Sequence, residues 1–208
     1  MNSNELRTML EDALATLDSS RDELRDLDAA IGDGDLGITV VEGARAVREG
    51  LRTLPPEAGI SLILRTCAQR FASANPSTMS ALVAAGLLAA SKRLGEVENI
   101  DRAGALVILE AATDAIQTRG GAALGDKTVI DALRPTIDAL QGAGPENKDA
   151  LEAMIKSARQ AVTETASLQS QKGRAAWIGE RTMGHPDGGA TAYLRLLEAI
   201  AGTPSFAS

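Results

Sequence analysis

Cysteine, histidine, tryptophan and tyrosine each occur once in these 208 residues, and aromatic side chains make up 2% of the chain. With Cys67 alone, neither an intrachain disulfide framework nor a cysteine zinc cluster can form. The plain role for that thiol is a small buried hydrophobe. The lone His185 is read as structural rather than catalytic. So few aromatics disfavour a large sheet, whose strands draw on aromatic and β-branched residues. A basic excess is missing too: the formal net charge is −7. That argues against a nucleic-acid partner or an anionic membrane surface, both of which call for a basic patch. No apolar run approaches the length of a membrane span, and the opening MNSNELRTMLEDAL is polar and acidic, without the apolar stretch of a leader. A soluble cytoplasmic protein is the expectation.

Hydrophobic residues make up 44% of the chain, a globular share. Its length suits one domain over 1–208, able to bury roughly 70% of its unfolded surface. Alanine, the strongest helix former, is abundant. Leu151, Met154, Ile155, Ala158, Ala161, Val162, Thr165 and Leu168 make one stripe of a long helix, with Pro145 near its start. Ser20-Arg21-Asp22-Glu23 reads as a capping box opening a helix toward Ile31. Another runs from about Gly37 to the stop at Pro55-Pro56. Further helical patterns cover about 58–73, 78–94, 100–118, 126–141 and 188–201, with a shorter one near 174–182. Pro135 should kink the 126–141 helix or mark an irregular turn in it. There is no internal repeat and no linker. The expected fold is all-α, roughly eight antiparallel amphipathic helices joined by short loops.

Gly32 to Gly37, GDGDLG, satisfies the dinucleotide pattern G-x-G-x-x-G. Such a fingerprint must follow a strand, whereas ELRDLDAAI ahead of it is charged and helical in period. Two aspartates there would also repel a pyrophosphate unless a metal ion sits between. Asp28, Asp33 and Asp35 form D-x-x-x-x-D-x-D, one residue in the last turn of a helix and two in a glycine-flanked loop. Like charges about 5 Å apart cost roughly 3 kcal/mol per pair at an effective dielectric of 20. A fold that gathers them points to a cation, and all-oxygen ligands point to Mg²⁺ or Mn²⁺. An EF-hand fits poorly, since Gly37 takes the fifth loop position and Ala44 the twelfth. The plainer alternative is a solvated acidic turn in which Asp33 or Asp35 caps the next helix.

Two more segments carry chemistry. GGAALGDKT, Gly120 to Thr128, imitates a phosphate-binding P-loop but inserts Asp126 before Lys127 and follows a helix. Its plain reading is a glycine-rich loop with Asp126 capping the next helix. GRAAWIGERTMGHPDGGA, Gly173 to Ala190, is dense in glycine and carries Arg174, whose planar guanidinium suits a phosphate.

Together LDAAIGDGDLGITVVEGARAV (27–47), GDKTVIDALRPTIDAL (125–140) and KGRAAWIGERTMGHPDGGATAYLRLL (172–197) resemble the L subunit of bacterial dihydroxyacetone kinases, equivalently the nucleotide-binding domain of the single-chain enzymes. The resemblance covers nearly the whole chain, in order. It implies a barrel of eight antiparallel amphipathic helices with the nucleotide, ATP or ADP, at one end. Two Mg²⁺ ions would be held by Asp28, Asp33 and Asp35. It further implies nucleotide contacts from Asn75, Ser77 and Thr78 in the phosphate loop, from Gly125, Asp126 and Thr128, and from Arg174 and Asp187. The chain departs from the family pattern in four places. Most phosphate-loop glycines are absent from ASANPSTMS, with Met79 where a small residue is usual. Leu36 replaces a histidine, Thr39 a common asparagine, and Gly188 the proline usual after Asp187.

By that resemblance the chain presents a phosphoryl donor to a small ketose held on a separate K-type subunit, and supplies no catalytic base of its own. The donor is exchangeable ATP, or a resident ADP recharged by a phosphotransferase-system protein; the altered phosphate loop favours exchangeable ATP. An acyl kinase domain and a non-catalytic nucleotide- or metal-sensing regulatory subunit are the competing readings.

Overall fold

The apolar stripes close into a ring of helices. The structure, a computed structural model, describes residues 1–207. Its helices are α1 (Ser3–Thr16), α2 (Arg21–Ile31), α3 (Leu36–Arg52), α4 (Ile60–Ala74), α5 (Thr78–Leu94), α6 (Arg102–Gly120), α7 (Ile130–Gly142), α8 (Asn147–Thr165), α9 (Gly188–Ala201) and a last turn α10 (Pro204–Ala207). Strands are absent among the described residues, as the scarcity of aromatics leads one to expect. From α2 to α9 each helix packs on the next, and α1 and α2 each touch both α3 and α9, which closes the ring. No helix among the described residues is long and apolar enough to cross a membrane.

Packing follows the stripes. On α8 the stripe residues Leu151, Met154, Ala158, Ala161 and Thr165 are buried, with Ala150 beside them. Leu151, Met154 and Ala158 pack with Leu140, Leu194 and Leu197 of α7 and α9, and Ala161 with Ala132 and Ala190. A second cluster joins Leu6 and Met9 of α1 to Val47, Leu51, Ile60 and Ile63 of α3 and α4. A third, Leu17, Leu24, Val40, Ala44 and Ala192, seats α2 and α3. Cys67 is buried, and desolvation pushes its thiol up to about 12, so it is inert packing.

Several helix ends differ from the sequence reading. Ser20 does not form a capping box. Its backbone stays in the right-handed helical region because a 3₁₀ turn, Leu17–Ser20, runs straight into α2, and its side chain caps nothing. The capping box of this chain is Asn2 with Glu5, at the start of α1, where the cap residue is extended as the geometry requires. Asp126 does not cap α7 either, since that helix begins at Ile130. α7 continues through Pro135, which removes only the bond to the Asp131 carbonyl. The segment 174–182 is a pair of 3₁₀ turns broken at Gly179, not an α-helix.

Candidate metal and nucleotide site

The loops that follow α2, α4, α6 and α8 gather at one end of the ring, tied to one another by hydrogen bonds and ion pairs. At the first of them α2 stops at Gly32. A Cβ at Gly32 would lie 2.4 Å from Asp28 Oδ1 and 3.0 Å from the Asp28 carbonyl oxygen, so a side chain there would displace that carboxylate. Gly34 sits at φ +77, the left-handed region glycine enters without penalty. A Cβ at Gly37 would lie 2.2 Å from the Arg21 carbonyl oxygen, so α3 and α2 touch backbone to side-chain-free backbone. The three glycines thus serve helix crossing and loop reversal. Carboxylate oxygens of Asp28, Asp33 and Asp35 come within 4.8 Å of one another.

This donor set fits a hard divalent cation. All ligand atoms are carboxylate oxygens, Asp28 is half-buried, and Asp33 and Asp35 face solvent. Asp35 stands at the cap position of α3, yet its side chain bonds no backbone N–H. The α3 start is served instead by Asp28 Oδ2, which accepts from Leu36 N at 3.3 Å. Asp35 is therefore not used as the helix cap that the plainer reading assigned to it. Arg174 pairs with Asp33.

The other loops place the remaining sequence-selected residues around this cluster. In the loop after α4, Asn75 donates from Nδ2 to Thr39 Oγ1 on α3 (3.0 Å), and its carbonyl accepts from Ser80 Oγ (2.6 Å). Ser77 caps α5 through Ser80 N (3.1 Å), and Thr78 opens that helix, exposed. After α6, Gly125 N and Thr128 N donate to the two oxygens of Asp131, at 2.6 and 2.7 Å. Asp126 accepts from Ala123 N (2.8 Å) and pairs with Lys172 at 3.5 Å. So Asp131, from inside α7, organises the loop that Asp126 was expected to end. His185 is half-buried in the segment after α8.

Asp187 caps α9, its Oδ2 accepting from Ala190 N at 2.7 Å. Burial pushes its carboxyl up to about 6, the cap bond and the nearby Lys127 ammonium opposing this and Asp131 adding to it. Next to it, a Cβ at Gly188 would lie 2.5 Å from Leu36 Cδ2. Leu36 and Gly188, two separate departures from the family pattern in the sequence, are one matched pair in space.

Sequence reading passed over Lys127, taken only as the lysine of a failed P-loop. It is 2% exposed, at φ +61, and its Nζ donates to the carbonyls of Leu168 (3.0 Å) and Thr182 (2.5 Å). Burial lowers the pKa of its ammonium and Asp187 raises it. The positive φ is not legible in the sequence; the buried lysine is found only in three dimensions. Arg195, whose guanidinium bonds both oxygens of Glu23 (2.7 and 2.5 Å) and also Glu198, was missed as well.

The chain is an all-helical ring with a three-carboxylate cluster and four polar loops at one end. Residues 30–202 match the DAK2 domain family, and the chain belongs to it. It is 35% identical over 184 residues to the L-erythrulose 1-kinase of Mycolicibacterium smegmatis, covering 86% of this chain and 32% of that one. It is 32% identical over 177 residues to the PEP-dependent dihydroxyacetone kinase 1, ADP-binding subunit DhaL, of Listeria innocua, covering 85% of this chain and 84% of that subunit. The dihydroxyacetone kinase of C. freundii, solved in complex with AMP-PNP and Mg²⁺, superposes with a TM-score of 0.75 at 25% identity, over 97% of this chain and 34% of that one. The chain therefore spans about a third of the single-chain kinases it matches and most of the separate ADP-binding subunit.

Proposed function

We propose that this chain is the ADP/ATP- and Mg²⁺-binding subunit of a dihydroxyacetone-type ketose kinase, presenting a phosphoryl donor to a small ketose held on a separate K-type subunit. The observation that carries the reading is the convergence of Asp28, Asp33 and Asp35 to within 4.8 Å at the end where four loops meet. Family membership and kinase relatives acting on dihydroxyacetone and erythrulose support the reaction class.

Bound Mg²⁺, two ions by family resemblance, would sit on these three carboxylates and neutralise charge on the phosphoryl oxygens. The chain's own residues do the rest. Asp28 is oriented by Leu36 N, so one ligand is fixed before any ligand binds. Arg174, now on Asp33, has a planar fork that can pass to a phosphate when a cation replaces it on the carboxylate. Ser77, Thr78 and Asn75 line the loop after α4, and Gly125, Asp126 and Thr128 the loop after α6, as nucleotide-side contacts. Asp187 acts through the α9 start. By the family resemblance this chain supplies no catalytic base, and the ketose chemistry belongs to the partner.

The donor is read as exchangeable ATP rather than a resident ADP recharged by a phosphotransferase-system protein. Without most phosphate-loop glycines, fewer backbone N–H groups can approach the phosphates, and weaker holding shows mainly in faster release. The test is thermal unfolding with ADP or ATP in Mg²⁺ and in EDTA. Nucleotide is expected to raise Tm only with Mg²⁺. Asp33→Asn or Asp35→Asn should abolish most of that gain while leaving helicity intact. Equal stabilisation in EDTA refutes the metal site. Transfer to ketose should need the K-type subunit; nucleotide binding without transfer in its presence would favour the sensing role instead.

A further inference from the structure

From 166 to 187 the chain forms a strap between α8 and α9 whose only regular structure is two 3₁₀ turns, and of its residues only Ser170 and Thr182 are buried. Long irregular segments in compact domains are usually functional, and one that buries so little apolar surface must be held by polar contacts. Its base is closed by Gly184 N on the Ala166 carbonyl (2.7 Å). Its middle touches the loop after α6 through Gln171 N on the Asp126 carbonyl (3.0 Å) and Lys172 on Asp126. Its far side reaches the aspartate cluster through Arg174 on Asp33.

One side chain grips both limbs of this strap at once. Lys127 Nζ donates to the Leu168 carbonyl on the outgoing limb and the Thr182 carbonyl on the returning limb. The position is unfavourable on two counts: a non-glycine residue at φ +61, and an ammonium withdrawn from water. Such strain persists only where the surroundings over-determine it, and it concentrates at functional sites. The lysine cannot serve a phosphate as a P-loop lysine does, because it is 2% exposed and its donors are turned to backbone carbonyls.

We infer that Lys127 is a positioning residue: it clips the two limbs of the strap together so that Arg174 is delivered to the aspartate cluster in register for the nucleotide phosphates. The inference rests on the nucleotide-site reading above for its consequence, though not for the clip. Thr182 completes the clip from the strap's own side, its Oγ1 accepting from Ser170 N (3.0 Å) and donating to the Gly179 carbonyl (2.8 Å).

Trp177, the only tryptophan, lies on this strap and reports its order directly. Lys127→Asn suits the test, because asparagine tolerates the left-handed backbone and cannot reach either carbonyl. Far-UV dichroism of K127N should match the wild type. The Trp177 anisotropy decay, measured without nucleotide, should gain a fast component, and calorimetric Mg·ADP affinity should fall at least tenfold. Lys127→Arg, which keeps a cation of sufficient reach, should recover much of the anisotropy. Folded K127N with wild-type anisotropy and affinity overturns the inference. Thr182→Val loosens the same limb without touching the lysine and should give the same fast component; if K127N and T182V both unfold, Lys127 is a general core cation and the inference fails. A wild-type chain that binds no Mg·ADP would sink the nucleotide reading, while the anisotropy comparison would still decide the clip.

Discussion

Asp187 is half-buried as a residue, but its capping carboxyl is desolvated, and that gives it a pH signature. Its folded carboxyl is pushed up to about 6, from an ordinary value of 3.8. A raised acid binds its proton more tightly in the folded chain, so this group favours folding at low pH. That contribution is lost as pH rises from about 4 through 6, and is constant above. Asparagine keeps an oxygen for Ala190 N and never ionises. The stability of Asp187→Asn relative to wild type should therefore climb between pH 4 and 6 and level off beyond it. Urea midpoints of both proteins across pH 4 to 8 check this, and parallel curves through the window would refute the assignment. At this scale the sequence was readable where neighbours in the chain are neighbours in space. Asp28, Asp33 and Asp35 lie within eight positions, so their convergence needs one tight loop. Leu36 against Gly188 and Lys127 against Leu168 and Thr182 are contacts between distant segments, and residue order alone carries no trace of them.

Among the elements, α2 has a thin hold relative to its task. It runs from Arg21 to Ile31, buries only Leu24 and Ile31, and carries Asp28. An isolated helix of that length is marginal in water. Arg195 on α9 ties it down by a two-pronged bond to Glu23, and Arg195 is itself held by Glu198, which Arg159 of α8 also engages. Burial works against ionised Glu198, but the two arginines outweigh it and hold its carboxyl below the usual range. Exposed pairs are worth little singly, whereas a bidentate network holds geometry. Arg195→Ala is expected to cost about 1 kcal/mol of stability and to weaken Mg·ADP binding several-fold by loosening Asp28. Arg195→Lys should recover less than half, because a point charge cannot grip both oxygens. Calorimetric titration decides it, and unchanged affinity in R195A would show that α2 needs no tether. Elements were legible where a stripe was long, as on α8. The first helix shows the same spacing in Leu6, Met9 and Ala13, but it sits in a stretch weighed only as a leader. Cap positions misled where the preceding residues were already helical, as at Ser20, or where a left-handed Lys127 pushed the helix start onward, as at Asp126.

Across the whole molecule the exposed large hydrophobics are unevenly placed. Among the described residues they are Trp177 (89% exposed), Leu124 (60%), Met183 (50%), Leu88 (44%) and Ile38 (41%). All but Leu88 belong to the loops, or to the helix start, at the end that carries the aspartates. If these side chains form one rim around the polar site, it is the kind of exposed apolar patch that marks a contact surface. Tryptophan flanked by aliphatic side chains is the composition that dominates interface energetics. If a partner seats at this end, the overall charge of −7 gives it little basic surface to be recruited by, and apolar anchoring would carry the association. If the proposed K-type subunit seats on this end, its ketose arrives at the solvent-facing side of Asp33 and Asp35. Truncating the rim should then separate two functions that the aspartate variants abolish together. The double variant Trp177→Ala, Leu124→Ala is expected to bind Mg·ADP within about twofold of wild type while its affinity for the ketose-holding subunit falls at least tenfold, with ketose phosphorylation falling in step at limiting subunit concentration. Surface plasmon resonance against that subunit, paired with calorimetry on the isolated chain, reads the two quantities separately. Undiminished association would place the partner elsewhere on the ring, and the exposed α5 face around Leu88 is where the same measurement would next be made.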